Sequence, residues 1–147
     1  MGSPRRLLVA AATTILALSI LASSVAAHSR GNDFHLEKTC ASDILCTVTW
    51  SSLKVIKPGT DITYTYDSSD PWDGLAFPTI NLKHGSSTGV CDWNQPGPTV
   101  LAKCTFTSGT GSLTGFHLKV DVTFDGTTWF WDGTSWFSHH HHHGGHH

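Results

Sequence analysis

The chain has 147 residues, with nine Lys/Arg, eleven Asp/Glu and eleven His, and a net charge of −2 with histidine neutral. That length suits a single domain, large enough for a core of its own. The mild acidity, with no stripe of Lys and Arg, argues against nucleic acid as a partner.

The chain opens on Met1-Gly-Ser-Pro-Arg5-Arg6 and continues in an apolar run from Leu7 to Val25, interrupted only by Ala and hydroxyl residues. It closes on Ser24-Val25-Ala-Ala27. A positive start, an apolar middle and a small-residue end are the three parts of a secretory signal peptide. Val25 and Ala27 stand at the recognition positions, which predicts a cut after Ala27 and a new N-terminus at His28. The alternative is an uncleaved anchor, since the run is nearly long enough to span a bilayer; its Ala, Ser and Thr content makes it a weak one. No Cys lies at the end of the run, so no lipoprotein is expected. Arg5-Arg6 only loosely resembles a twin-arginine signal. The predicted organisation is a signal peptide over 1–27, a secreted domain over 28–138 and a His-rich flexible tail over 139–147. After cleavage no membrane span remains, and seven Lys/Arg face eleven Asp/Glu.

Beyond residue 27 the apolar pattern is that of strands. Residues 47–50 (Thr-Val-Thr-Trp) form a first β-branched and aromatic run, and Lys57-Pro58-Gly59 separates it from 61–66, where Ile62, Tyr64 and Tyr66 alternate with polar neighbours. A polar loop, Asp67-Ser68-Ser69-Asp70-Pro71-Trp72-Asp73-Gly74, follows. Residues 79–83 are a shorter candidate strand and 99–107 a longer one. The clearest alternation is 116–124, with Phe116, Leu118, Val120, Val122 and Phe124 on one parity and His117, Lys119, Asp121 and Thr123 on the other. A period of two sends these sets to opposite faces of a sheet. Asp125-Gly126 and Asp132-Gly133 are tight-turn dipeptides, so the tail reads strand, turn, strand, turn, short strand. No segment has helical spacing over a helical length. The expected fold is all-β, a small antiparallel β-barrel, with a β-sandwich as the alternative.

Four cysteines lie in the mature part: Cys40, Cys46, Cys91 and Cys104. An even count behind an export signal reads as a disulfide framework, with three pairings possible. Cys40–Cys46 and Cys91–Cys104 are favoured, because each pair is close in sequence and separated by turn formers. A zinc site of four thiolates is the competing idea, but no Cys-x-x-Cys spacing occurs.

Phe34-His-Leu-Glu37-Lys-Thr-Cys40, Cys46-Thr-Val-Thr, and Cys104-Thr-Phe-Thr-Ser-Gly109-Thr-Gly111-Ser-Leu-Thr-Gly115-Phe-His117 resemble a group of small secreted bacterial proteins, as does Trp131-Asp-Gly133-Thr. Those proteins resemble the allene oxide cyclase and dirigent-like barrels, in which a Gly-Thr-Gly turn links two long neighbouring strands. The resemblance covers most of residues 34–137. It implies an eight-stranded antiparallel barrel with a central cavity. No catalytic carboxylate of those families matches a position here, so their enzymatic activity is not implied.

The most visible chemical feature is the end of the chain: His139, His140, His141, His142, His143, then His146 and His147 after two glycines. Clustered imidazoles on a flexible chain chelate Zn, Ni or Cu divalent ions, although without the fixed surroundings that tune a catalytic metal. A purification tag is the competing explanation of the same run, but the signal peptide ahead of it and the unusual layout of five His, two Gly and two His favour a native tail. His28, once at the N-terminus, offers an amine and an imidazole for a copper brace; a second inward imidazole would have to come from His35 or His117.

Six tryptophans is a high count for this length. Trp72 and Trp93 sit in loop-like, Pro- and Gly-rich surroundings, where binding residues concentrate, and are the candidate ligand-binding residues; core filling is the competing role. Asp67, Asp70 and Asp73 lack calcium-loop spacing and read as solvated turn residues. No nucleophile elbow, phosphate-binding loop or zinc-protease motif occurs. The expected role is a secreted, non-catalytic barrel that binds a small apolar ligand or a glycan. A metal-binding protein acting through its His-rich end and a cyclase-like cavity enzyme are the alternatives.

Overall fold

The computed structural model describes residues 31–94 and 99–138. Eight strands follow in order: β1 (Asn32–Ser42), β2 (Leu45–Ser51), β3 (Asp61–Tyr66), β4 (Leu75–Leu82), β5 (Gly85–Asp92), β6 (Ala102–Phe106), β7 (Phe116–Phe124) and β8 (Trp129–Phe137). Each pairs antiparallel with the next, and β8 returns to pair with β1, so the sheet closes into a barrel in chain order. Closure leaves no unpaired edge, and the sandwich alternative falls away. Among the described residues the only helical element is a 3₁₀ turn, Gly111–Leu113.

The two-residue period places the core. Phe116, Leu118, Val120 and Val122 of β7 are buried while Lys119 between them is exposed. Ala102, Cys104 and Phe106 of β6, Ile62 and Tyr64 of β3, and Phe34 and Leu36 of β1 turn inward in the same way. Each such aliphatic or aromatic side chain contributes about 1.5–3 kcal/mol through burial. On β2 the parity breaks: Glu37 faces Trp50 but Lys38 faces Val48, so Thr49 is an extra residue. This bulge turns Trp50 to the outside, where its indole packs on the His35 ring at 5.3 Å.

Antiparallel order sends the connections alternately to two ends of the barrel. One end, reached by the β2–β3, β4–β5 and β6–β7 connections, is filled, with Ile56 and Leu113 buried there. The Gly109-Thr110-Gly111 turn is clipped to the β4–β5 hairpin: Thr110 N–H donates to the Ser86 carbonyl at 2.8 Å and Ser112 N–H to the His84 carbonyl at 2.7 Å. Gly111 has φ +55°, and a Cβ there would lie 1.9 Å from the His84 carbonyl oxygen. Glycine is needed at that approach. The other end carries the β1–β2, β3–β4, β5–β6 and β7–β8 connections, and both disulfides lie toward it.

Those disulfides are Cys40–Cys46, between β1 and β2, and Cys91–Cys104, between β5 and β6. They take the expected pairing and leave no thiolate for zinc. Closing the 13-residue separation of the second contributes about 3 kcal/mol on the chain-entropy account.

Three sequence expectations need correction. Asp132-Gly133 is not a turn: it lies inside β8, where Asp132 pairs with His35 on one side and Asp121 on the other. Two continuous ladders outweigh the local preference of the dipeptide. Gly133 serves close packing instead, since a Cβ there would sit 2.0 Å from the Lys119 carbonyl oxygen. The strand expected over 79–83 begins earlier, at Leu75; Pro78 obscured it, and the ladder to β5 is interrupted at Phe77 and Pro78, as a residue without N–H requires. The strand expected over 99–107 is shorter, spanning Ala102–Phe106. The signal-peptide segment, His28 and the tail histidines lie outside the described residues. Among the described residues no helix is long and apolar enough to cross a membrane.

Candidate functional site

The mouth of the barrel, at the disulfide-bearing end, opens into a cavity of about 440 Å³. Tyr64, Tyr66, Trp72, Trp93, Phe124, Trp129 and Trp131 line it, together with Cys40, Cys46, Cys91, Val122 and the polar Lys38, Ser42 and Asp43. The lining arises from strand parity: β1, β3, β7 and β8 each continue their inward-facing set past the packed core into this end.

Three indoles form the rim. Trp72, from the loop between β3 and β4, stacks on Trp129 at 5.5 Å and 10° between planes. Trp93, just beyond β5, stands edge-on to both, at 5.2 Å from Trp72 and 6.0 Å from Trp129. Phe124 also stacks on Trp129, at 4.4 Å. The loop that delivers Trp72 is held by its own acids. Asp67 Oδ1 accepts the Leu75 N–H at 2.8 Å, and Asp70 Oδ1 accepts the Trp72 N–H at 2.9 Å. Asp67 and Asp70 are therefore turn supports, as the sequence suggested. Trp72 and Trp93, the two sequence-selected ligand residues, meet in one place; Trp129, beginning β8, joins them and was missed.

Below the rim lies Lys38, the main departure from the sequence reading. It is only 3 % exposed. Its Nζ donates to Tyr64 Oη at 2.5 Å and lies 3.7 Å from Cys46 Sγ. It sits 4.8 Å from the Tyr64 ring centre, 4.9 Å from that of Trp131 and 5.6 Å from that of Trp129. Among the described residues it has no ion-pair partner. Burial lowers its pKa from 10.5 to about 7, because an ammonium loses its hydration there. The same burial pushes the Tyr64 hydroxyl well above its ordinary value, so at neutral pH Tyr64 keeps its proton. Tyr66 is raised as well, first by burial and then by the Asp43 charge, and its hydroxyl donates to the Asp43 carbonyl, tying the β1–β2 turn to β3. The indole N–H groups of Trp93 and Trp131 are buried and have no hydrogen-bond partner among the described residues. The site thus offers flat apolar walls and one amine.

The remaining candidates lie elsewhere. His35 faces outward, with Nδ1 2.5 Å from Asp132 Oδ1 and Nε2 3.3 Å from Glu37 Oε1. The hydrogen bond to Asp132 is the main cause of its raised pKa, and burial opposes it. His117 also faces outward, stacked on Trp136 at 5.0 Å. Neither imidazole points inward, because Phe34, Leu36, Phe116 and Leu118 hold the inward parity of those strands. The second inward imidazole that a copper brace at His28 would need is supplied by neither. The tail set His139, His140, His141, His142, His143, His146 and His147, proposed for Zn, Ni or Cu, is outside the described residues. Among the described residues, no group of three or more His, Cys, Asp or Glu is placed to hold a metal ion. Of the six tryptophans only Trp131 is wholly buried in the core.

No protein-family model, curated protein or solved structure matches the chain.

Proposed function

We propose that this protein is an exported, non-catalytic barrel that binds a small apolar ring compound in its mouth. The observation that carries the reading is the indole rim of Trp72, Trp93 and Trp129 over a cavity of about 440 Å³. Small-molecule sites typically enclose about 300–1,000 Å³ behind mainly apolar walls with few polar groups. A glycan is the weaker candidate, because its many hydroxyls would lose water without finding partners on these walls. A cyclase-like reaction has little support: Asp43, the only carboxylate among the described lining residues, is exposed on a turn. Kinship with the allene oxide cyclase and dirigent-like barrels belongs to the same proposal. It is supported by the closed eight-stranded order and by Gly109-Thr110-Gly111 between β6 and β7. Export is supported by the N-terminal signal pattern and by two disulfides.

The test uses N-phenyl-1-naphthylamine, a neutral aromatic dye that brightens in apolar surroundings. One saturable site is expected, with cellohexaose failing to displace the dye. Trp72→Ala and Trp129→Ala should each weaken binding by about tenfold, as loss of an aromatic wall does. Unchanged binding in both variants would overturn the proposal.

A further inference from the structure

An amine at the floor of an apolar cavity needs a reason to be there. On β1 the inward positions before it are Phe34 and Leu36, and a methionine or leucine in place of Lys38 would bury without loss of hydration. Nothing described around Lys38 neutralises it. Its one strong partner is the Tyr64 hydroxyl at 2.5 Å, and the cavity opens directly above both. Desolvated lysines in apolar pockets are the nucleophilic ones, because the free amine persists at neutral pH and can add to a carbonyl.

We propose that Lys38 captures an apolar aldehyde or ketone as an imine, with Tyr64 as the proton donor and the indole rim holding the ring of the ligand. This rests on the reading of the mouth as an apolar-ligand site and names the chemical class of its ligand. In the first step the Lys38 nitrogen bonds to the carbonyl carbon, and the carbonyl π pair moves to oxygen, which takes the Tyr64 proton. The tyrosinate recovers a proton from the nitrogen, leaving a carbinolamine. That hydroxyl then takes a second proton from Tyr64 and leaves as water while the nitrogen lone pair forms the carbon–nitrogen double bond. The tyrosinate takes back the remaining nitrogen proton. One water is released, nothing is oxidised or reduced, and hydrolysis reverses the capture. The lowered pKa of Lys38 fits this role, whereas an ordinary lysine in water keeps only about one amine in a thousand neutral at pH 7.4.

The experiment exposes the disulfide-intact protein to cinnamaldehyde with sodium cyanoborohydride at pH 7.4 and locates reduced adducts by intact mass and peptide mapping. Expected is one dominant adduct at Lys38, formed on the order of 100-fold faster than adducts at the exposed Lys54 or Lys57. Lys38→Met should abolish it. Tyr64→Phe, which keeps the ring, should slow it on the order of 100-fold. Labelling of Lys38 no faster than of Lys54 and Lys57 would overturn the inference. Cinnamyl alcohol and cinnamate, which share the skeleton without a reactive carbonyl, separate the two layers of the argument. If either displaces the dye while cinnamaldehyde leaves Lys38 unmodified, the imine fails and the cavity reading stands. If nothing enters the mouth, both fail.

Discussion

Replacing Lys38 by methionine removes a buried amine while keeping an unbranched, flexible chain that fills similar space. The folded protein holds this amine at a pKa of about 7, against an ordinary 10.5. Between those values the unfolded chain carries the proton and the folded chain does not, so stability rises with pH through that window. Below about pH 7 both states are protonated and the penalty is full and constant. At about 1.4 kcal/mol per pH unit the window amounts to about 5 kcal/mol. The rings of Tyr64 and Trp131 favour the ammonium and bring the expected figure to ~3–5 kcal/mol. Tyr64, Tyr66 and Asp43 are the other titratable groups lining the cavity around it, and both tyrosines are raised by burial, away from the window. Lys38→Met should therefore be the more stable protein at pH 6, by ~3–5 kcal/mol. Its advantage should shrink as pH rises and vanish near pH 10, where the wild type keeps a Lys38–Tyr64 hydrogen bond of about 1 kcal/mol. Urea denaturation of both proteins from pH 6 to 9.5, without reductant, measures the gap. A gap that does not change with pH, or a methionine variant less stable at pH 6, would refute the reasoning.

Val120 is buried and Asp121 beside it points outward, 2.9 Å from Lys103 Nζ. Val120→Asp should cost several kcal/mol, of the order of a small domain's ~5–15 kcal/mol margin, while Asp121→Ser should cost under about 1 kcal/mol, in paired thermal melts. Gly133→Ala forces a Cβ against the Lys119 carbonyl and should lower stability by at least about 2 kcal/mol; Gly126→Ala, at φ +102° with open space around it, should cost only about 1 kcal/mol. Serine at both Cys91 and Cys104 should reduce stability by about 3 kcal/mol, read from the urea midpoint.

The barrel was legible where parity is clean. Residues 116–124 and 61–66 appear as strands at the bounds their alternation gives, and both disulfides join cysteines that the ladder sets opposite one another. Legibility failed where tertiary pairing overrides local chemistry, as at Asp132-Gly133 and across Pro78. For the site, loop context found Trp72 and Trp93 but passed over Trp129, because nothing local marks the first residue of a strand as part of a rim. Lys38 left a signal: Phe34, Leu36 and Lys38 share one parity, which sends the lysine inward. The β2 bulge that carries Trp50 outside left none, since Val48 and Trp50 read as one face.

The central claim is that the mouth of the barrel takes an apolar ring compound. Indole N–H resonances of ¹⁵N-labelled protein, assigned by single Trp→Phe changes and followed during titration with N-phenyl-1-naphthylamine, test it most directly. Trp72, Trp93 and Trp129 should shift together and saturate with one ligand per chain, while Trp50 and Trp136 on the outer face stay in place. Shifts confined to Trp50 and Trp136, or none at saturating dye, would contradict the account.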